Sequence, residues 1–326
     1  MQISIAMGSY NGAVYLPEQL GSIAAQTRLP DELIVCDDCS TDSTASIVEE
    51  FARTAPMPVK LQVNERNLGS TRNFERAIAS CTGDVIAMCD QDDVWRSDKL
   101  QLIEDAFARE PLAGLVFSDA EIVDENLNSL GRRMWAERGL IRVKRKLFEV
   151  GRSLDVLIPG GTVTGATMAF RSRYKDLILP IPDEIPMIHD GWIALAIAAV
   201  ADATLIAEPL VKYRHHGGQQ VGAPLTKRQR PGSLQAIDAG LRRTTSYADL
   251  QLTLTTLRQR LNANQDSFDC RAAFFSIENY ARHIKARSNL RNERLGRLPT
   301  IFREVMALRY HRYSKGFSSA LKDLVS

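Results

Sequence analysis

The chain has 326 residues, of which 44% are hydrophobic and 25% are charged. These proportions are typical of a globular protein and exclude a disordered or fibrous chain. The net charge of +2 hides an uneven distribution, because residues 1–222 hold 22 Lys and Arg against 31 Asp and Glu, whereas residues 223–326 hold 19 against 8. We therefore predict an acidic region and a basic region that have different partners.

The sequence shows no targeting segment or membrane span. Residues 1–7 are largely apolar but have no basic flank, which is unlike a secretory signal. The longest apolar stretch, residues 193–201, is about half as long as a membrane span. Cys36 and Cys39 form an isolated CxxC pair, which only weakly indicates a metal or redox site without a second pair. We therefore expect a cytoplasmic protein that does not cross a membrane.

Strand and helix patterns alternate over the first 125 residues. The predicted strands are residues 3–7, 33–36, 59–63, 85–89 and 112–117. Between them, apolar residues recur at helical spacing. This alternation predicts an α/β fold with a mostly parallel sheet that is covered by helices on both faces.

The remainder of the chain is less regular. Residues 162–170 and 204–207 are predicted strands, residues 189–201 a helix, and residues 213–218 a polar turn. From about residue 224 the pattern is helical and basic. We place the boundary between the two regions after residue 222.

Polar residues follow the predicted strands at one edge of the sheet. They are residues 8–11, 37–38, 64–69 and 90–93. Ligands of open α/β sheets bind beyond the carboxyl ends of the strands. The convergence of these segments therefore predicts a polar ligand site at this edge.

Closely spaced carboxylates end the fourth predicted strand. If the backbone stays extended, Asp90 and Asp92 point the same way, and such a pair suits Mg²⁺ or Mn²⁺. A solvated acidic turn is the alternative interpretation. Because the chain lacks GxGxxG and GxxxxGK[ST] motifs, a phosphate-bearing ligand would depend on the metal and on basic side chains such as Arg72.

Several motifs, taken together in this order, resemble the inverting glycosyltransferases of family 2, which have the GT-A fold. They are the opening strand and loop (residues 4–12), a DDxSxD-like segment (32–42), an NxG…N-like loop (67–73), a DxD variant similar to that of the rhamnosyltransferase and O-antigen branch (89–95), the HDGW segment (189–192) and a YRxHGxNxVG-like stretch (213–222). The resemblance covers about residues 1–222. It implies a GT-A catalytic domain over residues 1–222 and a basic helical extension over residues 223–326.

The resemblance also implies roles for individual residues. Those expected to bind the nucleotide are Ser9, Tyr10, Asn11, Asp37, Asp38, Asn67, Arg72, Asp90 and Gln91. Those expected to hold Mg²⁺ or Mn²⁺ are Asp90, Asp92 and His216, and those near the acceptor are Trp95, Trp192 and Gly165. Asp190 is expected to be the general base. Since His189 stands where the family usually has a further acid, Asp183 and Glu184 are alternative bases.

The implied function is metal-dependent, inverting transfer of rhamnose or a hexose from a dTDP- or UDP-linked sugar. The implied acceptor is a glycan or a lipid-linked molecule in cell-surface polysaccharide synthesis.

The basic region, in which Lys and Arg alternate with Tyr, Phe and Leu, suits peripheral contact with the anionic inner face of the cell membrane. A solvated helical face is the alternative.

Two other functions would account for part of the sequence. The first is a nucleic-acid-binding protein, but the acidic strand ends would repel phosphates, so we expect no nucleic-acid partner. The second is a sugar-nucleotide-binding protein without transferase activity. The presence of Asp90, Asp92 and Asp190 argues against it.

Overall fold

The computed structural model describes residues 1–160, 162–217, 247–290, 297–314 and 316–325. Its strands are β1 (Ile3–Ser9), β2 (Glu32–Asp37), β3 (Val59–Val63), β4 (Val85–Asp90), β5 (Val94–Trp95), β6 (Ala113–Val123), β7 (Ser129–Arg133), β8 (Met168–Arg171) and β9 (Asp202–Arg214). They form one nine-stranded sheet in the order β3-β2-β1-β4-β8-β6-β9-β5, with β7 beside β6.

Helices cover this sheet and follow it along the chain. They are α1 (Leu16–Ala24), α2 (Thr44–Thr54), α3 (Ser70–Ser80), α4 (Lys99–Arg109), α5 (Met134–Glu137), α6 (Arg142–Glu149), α7 (Ser153–Leu157), α8 (Lys175–Ile178), α9 (His189–Ala198), α10 (Tyr247–Ala263), α11 (Arg271–Asn289), α12 (Arg297–Met306), α13 (Arg309–Tyr313) and α14 (Phe317–Val325). Within the described residues, no helix is long and apolar enough to cross a bilayer.

The N-terminal half of the sheet is parallel, as predicted. Strand β1 pairs with β2 and β4, and β2 pairs with β3, all in parallel. Parallel neighbours need crossover connections, and α1, α2 and α3 lie in these connections. As a result, the carboxyl ends of β1, β2 and β4 meet at one edge.

The second half of the sheet is mixed. Strand β8 lies antiparallel between β4 and β6, whereas β9 runs parallel to β6. The strand expected over residues 162–170 begins only at Met168, because Gly165–Thr167 forms a 3₁₀ turn. The strand expected over residues 204–207 extends to Arg214. Tyr213 and Arg214 are therefore strand residues, and β9 leads the chain to the acidic end of β4.

Two hydrophobic cores flank the sheet. One contains residues of α1, α2 and α4, including Leu20, Val48 and Phe107. The other contains residues of α3 and α9 and also Leu257 and Ile277 from the C-terminal helices. Helices α10 and α11 therefore extend the core of the first region. The predicted boundary after residue 222 lies outside the described residues.

Candidate active site

A cleft of about 650 Å³ opens where polar segments from β1, β4 and the α9 region meet. The predicted site residues that line it are Ser9, Tyr10, Asn11, Asp38, Asp90, Gln91, Asp92, Gly165, Asp190 and His216. Lining residues that the sequence did not single out include Phe74, Arg138, Thr164 and Tyr213. The polar segments after β1, β2 and β4 thus converge as expected, whereas none of residues 64–69 lines the cleft.

The loop after β1 is fixed to the loop after β2. Asn11 has a positive φ of 45°, a conformation that Asn tolerates better than most residues. The side-chain Oδ1 of Asn11 accepts a hydrogen bond from the Thr41 backbone amide at 2.8 Å. The backbone amide of Asn11 donates to Ser40 Oγ at 2.9 Å. The two loops therefore form one wall of the cleft.

The two consecutive acids after β2 have different positions. Asp37 is fully buried and lies outside the cleft lining, where it accepts hydrogen bonds from the backbone amide and hydroxyl of Ser40 at 2.8 and 2.6 Å. Asp38 lines the cleft and accepts hydrogen bonds from the amides of Leu68 and Gly69 at 2.7 and 2.8 Å. Asp37 therefore supports the loop, and Asp38 faces the ligand side.

Asn67 and Arg72 also lie outside the lining. Asn67 Nδ2 donates to the Asp38 carbonyl oxygen at 3.3 Å. Arg72 forms ion pairs with Glu75, at 2.6 Å, and with Asp183. Asn67 therefore contacts the loop after β2 from outside the cleft, whereas Arg72 connects α3 to the segment before α9.

Gln91 joins the β4 end to the β1 loop. Its Oε1 accepts from the Tyr10 amide at 2.9 Å, and its Nε2 donates to the Tyr10 carbonyl at 3.0 Å. A Cβ atom at Gly12 would lie 2.1 Å from Gln91 Oε1. Glycine at position 12 therefore makes room for this clamp.

Negative charge is concentrated in the cleft. Burial, with the negative charges of Asp92 and Asp190, raises the pKa of Asp90 to about 7. Asp92 Oδ2 lies 2.9 Å from His216 Nε2. These acids and the imidazole therefore form an electron-rich surface that attracts a cation.

Arg214, which belongs to the YRxHGxNxVG-like stretch but had no predicted role, holds the acidic loop in place. Its side chain is 1% exposed and its Nε donates to the Asp92 carbonyl at 2.7 Å. The guanidinium lies 4.5 Å above the Tyr15 ring and forms an ion pair with Glu18. Its backbone amide donates to Asp93 Oδ1 at 3.0 Å, while Asp93 Oδ2 accepts no hydrogen bond from the described residues. The end of β9 thus fixes the backbone at Asp92 and the carboxylate of Asp93.

The predicted metal residues suit an ion that is shared with a ligand. Within the described part of the chain, no three His, Cys, Asp or Glu side chains are grouped as a complete metal site. However, Mg²⁺ needs only one or two protein carboxylates when phosphates and water complete its shell. Asp90, Asp92 and His216 are of the right chemical type, and a cation would relieve the repulsion that, together with the larger effect of burial, raises the pKa of Asp90.

Asp190 lies in the first turn of α9 and faces the cleft. Its Oδ1 accepts from the Gly191 amide at 2.6 Å and its Oδ2 from the Gly165 amide at 3.2 Å. A carboxylate is favourable at a helix N-terminus. The two amides fix its orientation, so that Gly165 lines the cleft and also positions the predicted base.

His189 forms an apolar floor with Phe74. It is 5% exposed, and the two rings stack with centroids 4.2 Å apart. Burial lowers the pKa of His189, which favours the neutral imidazole. A Cβ atom at Gly8 would lie 3.0 Å from the Phe74 ring. The sequence indicated that position 189 differs from the family pattern, because His189 stands where the family usually has an acid.

Trp95 and Trp192 pack in the core, at 3% and 0% exposure, and lie outside the cleft lining. Trp192 Nε1 donates to the Ile178 carbonyl at 2.8 Å. Neither indole is presented to an acceptor in this structure. The Trp192 hydrogen bond connects α9 to the end of α8.

The side chain of Lys99 is fully buried beneath the site. Its ammonium group lies 3.5 Å from the Trp95 ring centroid and donates to the Ala166 carbonyl at 2.7 Å. Burial lowers the pKa of Lys99 to about 7. Lys99 thereby connects α4 to the turn that contains Gly165.

Residues 4–175 match the family model for glycosyl transferase family 2. This match covers more than half of the chain, so the chain belongs to glycosyl transferase family 2. It is therefore a glycosyltransferase of the class that uses nucleotide sugars, as the sequence motifs predicted.

The relatives are distant. An uncharacterized glycosyltransferase of Nostoc is 28% identical over 251 residues, which cover 76% of this chain and 74% of that protein. The dTDP-rhamnosyl transferase RfbG of Shigella flexneri is 27% identical over 233 residues, covering 68% and 75%. The chain spans 59% of the length of uncharacterized mycobacterial relatives that are 28% identical to it.

Among solved structures, Staphylococcus aureus TarS (residues 1–349) in complex with UDP-GlcNAc is similar, with a TM-score of 0.59 and 17% identity. The similarity covers 99% of this chain and 82% of that one. It confirms the predicted GT-A fold with a helical C-terminal region.

Proposed function

We propose that this chain transfers rhamnose or a hexose, with inversion, from a dTDP- or UDP-linked sugar to a glycan or lipid-linked acceptor in cell-surface polysaccharide synthesis. The observation that carries the proposal is the single cleft shared by the fixed carboxylate of Asp190, the Asp92–His216 pair and the loops after β1 and β2. The relationship to a dTDP-rhamnosyl transferase and the similarity to a UDP-GlcNAc complex support the two donor classes.

Asp190 acts as the general base. It accepts the proton of the acceptor hydroxyl while that oxygen forms a bond to the anomeric carbon. The bond from this carbon to the diphosphate oxygen breaks, and the diphosphate leaves with the electron pair. Attack opposite the leaving group inverts the configuration. The amides of Gly165 and Gly191 hold the carboxylate in the orientation that this transfer needs, and general-base catalysis contributes about 10²–10⁴-fold.

The nucleotide binds along the wall that the β1 and β2 loops form. Tyr10 lines the cleft and offers a ring to stack on the base, while Asp38 offers carboxylate oxygens to the base or ribose. Ser9 and Asn11 complete this wall. Asp37 acts indirectly, because its hydrogen bonds to Ser40 shape the loop.

Asp90, Asp92 and His216 would hold Mg²⁺ or Mn²⁺. Such an ion, when bound, would stabilise the charge of the departing diphosphate. Gln91 keeps the β1 loop beside the acids by clamping the Tyr10 backbone. The acceptor hydroxyl would enter next to Gly165, where Asp190 can reach it.

A donor panel tests this proposal. The protein would be mixed with dTDP-rhamnose, UDP-glucose, UDP-galactose or UDP-GlcNAc in the presence of Mn²⁺, and nucleotide release and thermal stability would be measured. We expect dTDP or UDP to stabilise the fold by about 3 kcal/mol at a hundredfold excess over Kd. Stabilisation by DNA but not by any nucleotide would favour nucleic-acid binding. If the protein binds a sugar nucleotide but releases no free nucleotide from it, even with lysate glycolipids as acceptors, the result would favour a binding protein without transferase activity.

We further propose that the reaction takes place at the cytoplasmic face of the cell membrane, where a lipid-linked acceptor resides. The support is the excess of Lys and Arg in residues 223–326, which favours an anionic lipid surface.

A further inference from the structure

Helix α12 exposes an apolar stripe. Leu298, Phe302 and Met306 are 65%, 67% and 67% exposed, and their spacing of four residues places them along one side of the helix. Ile301, at 8% exposure, packs into the inner cluster with Tyr310. The helix therefore has a buried anchor, Ile301, and an uncovered apolar side.

Helix α14 repeats this arrangement. Phe317, Leu321 and Leu324 are 68%, 64% and 39% exposed, while Ala320 is buried at 6% and belongs to the same inner cluster as the anchor of α12. In both helices, exposed apolar residues stand three positions before and one position after the buried anchor. The two helices pack against each other. We call these exposed residues of the two helices, Leu298, Phe302, Met306, Phe317, Leu321 and Leu324, the apolar face.

Charge is arranged in the same way on both helices. The residue two positions after the anchor is an exposed cation, Arg303 in α12 and Lys322 in α14. The residue three positions after it is an acid, Glu304 or Asp323. In both helices, therefore, the cation lies beside the apolar face and the acid lies on another side of the helix.

Both acids point inward. The Glu304 side chain is 2% exposed and forms ion pairs with His283 at 2.9 Å and Arg309 at 2.6 Å. The Asp323 side chain is 14% exposed and pairs with Arg287 at 2.6 Å. Glu304 and Asp323 are the acids among described residues 297–325. Within this segment, therefore, cations border the apolar face and no exposed carboxylate lies beside them.

A basic cleft of about 430 Å³ adjoins this face. Its lining includes Arg282, Lys285, Arg303 and Arg309, together with Asn289 and the ion-paired Glu304. Because Arg303 belongs both to α12 and to the cleft lining, the cleft is continuous with the cationic border of the apolar face. Phosphate groups suit such a set of donors.

Building on the membrane localisation proposed above, we propose that the apolar face of α12 and α14 docks on an anionic lipid bilayer. Its apolar side chains enter the boundary between head groups and acyl chains, and the cationic border with the basic cleft binds lipid phosphates. Charge complementarity favours this occupant over a second copy of the chain. A symmetric contact through this face would bring its cations together, because Glu304 and Asp323, the acids of described residues 297–325, already pair with His283, Arg309 and Arg287.

Vesicle flotation of the full chain tests this surface. Wild-type protein should float with vesicles of phosphatidylglycerol and phosphatidylcholine and much less with phosphatidylcholine alone. The double variant Phe302→Gln/Leu321→Gln should bind at least about tenfold more weakly, because two large apolar side chains lose their burial. The matched control is Leu112→Gln/Val150→Gln, which changes residues that are 75% and 65% exposed on the catalytic part and should float like wild type.

A charge variant tests the border separately. Arg303→Gln/Lys322→Gln should reduce binding to the anionic vesicles by about fivefold per charge and leave the weak binding to neutral vesicles unchanged. Circular dichroism should confirm that every variant is folded. Nucleotide release from the donor in solution should match wild type, so that failure at the membrane is distinguishable from failure of the proposed transfer.

Several outcomes would overturn the proposal. One is equal flotation of wild type and Phe302→Gln/Leu321→Gln, and another is no binding of wild type to anionic vesicles. A third is a dimer, seen by light scattering, that the same double variant dissociates without any vesicle binding, which would assign the apolar face to a second copy.

Discussion

Replacement of Asp190 by Asn removes the proposed base with little change in shape. The amide oxygen of Asn can still accept one of the two hydrogen bonds that the carboxylate receives from Gly191 and Gly165 at 2.6 and 3.2 Å. The NH₂ group cannot accept the other. Since Asn cannot take a proton from the acceptor hydroxyl, we expect transfer to fall by about 10²–10⁴-fold.

The effect on stability should be small because two contributions oppose each other. Loss of a charge-assisted hydrogen bond costs about 1 kcal/mol, and loss of negative charge at the start of α9 costs about 0.3–1 kcal/mol. Against this, removal of the Asp190 charge relieves its repulsion of buried Asp90, which contributes to the raised pKa of that acid. We expect the Tm to change by only a few degrees.

The assay measures nucleotide release in the presence of acceptor, together with nucleotide affinity by calorimetry. Asp183→Asn is the matched control, because Asp183 was an alternative base, is 74% exposed and pairs with Arg72 outside the cleft. We expect Asp190→Asn to lose transfer and keep nucleotide affinity, and Asp183→Asn to keep both. Near-normal turnover by Asp190→Asn, or a comparable loss in Asp183→Asn, would refute the assignment.

Three further predictions follow from the site. Chelation by EDTA should stop transfer and Mg²⁺ or Mn²⁺ should restore it, whereas full activity after exhaustive dialysis against EDTA would contradict a metal role. Gly12→Ala should weaken nucleotide binding, measured by calorimetry, because its Cβ would displace Gln91. The control is Gly21→Ala, since a Cβ at this position of α1 meets open space. It should bind nucleotide normally, and its free energy of unfolding should rise by about 0.5–1 kcal/mol. Lys99→Met should lower activity by releasing the Ala166 turn. The pKa of Lys99 falls from 10.5 to about 7 on folding, so the unfolded chain binds more protons between these values. The urea unfolding free energy of wild type relative to Lys99→Met should therefore rise with pH across that window, and a flat difference would contradict the burial argument.

Much of the fold and part of the site could be predicted from local sequence patterns. Apolar runs such as residues 3–7 and 85–89 became buried strands, because strands covered on both faces need continuous apolar sequence. The polar residues that end these strands include Asp90 and Asp92. They meet in the cleft, because parallel strands bring their carboxyl ends to one edge.

The local patterns did not predict how the second half of the sheet pairs. The short β8 lies antiparallel between β4 and β6, and β9 continues through Tyr213 and Arg214. Strand pairing of this kind depends on contacts between residues that are far apart in the chain. Arg214 therefore read as part of a turn, although it is a buried residue that holds Asp92.

The sequence by itself determined the family motifs, the alternation of strands and helices in the first half and the residue types at the cleft. Only the tertiary structure decided which of the predicted residues reach the cleft. It buried Asp37 beside Ser40, placed Trp95 and Trp192 in the core and set Lys99 beneath the Gly165 turn. The physical reason is that chemical type is a property of each residue. Burial, charge and direction depend on the neighbours that packing brings from other parts of the chain.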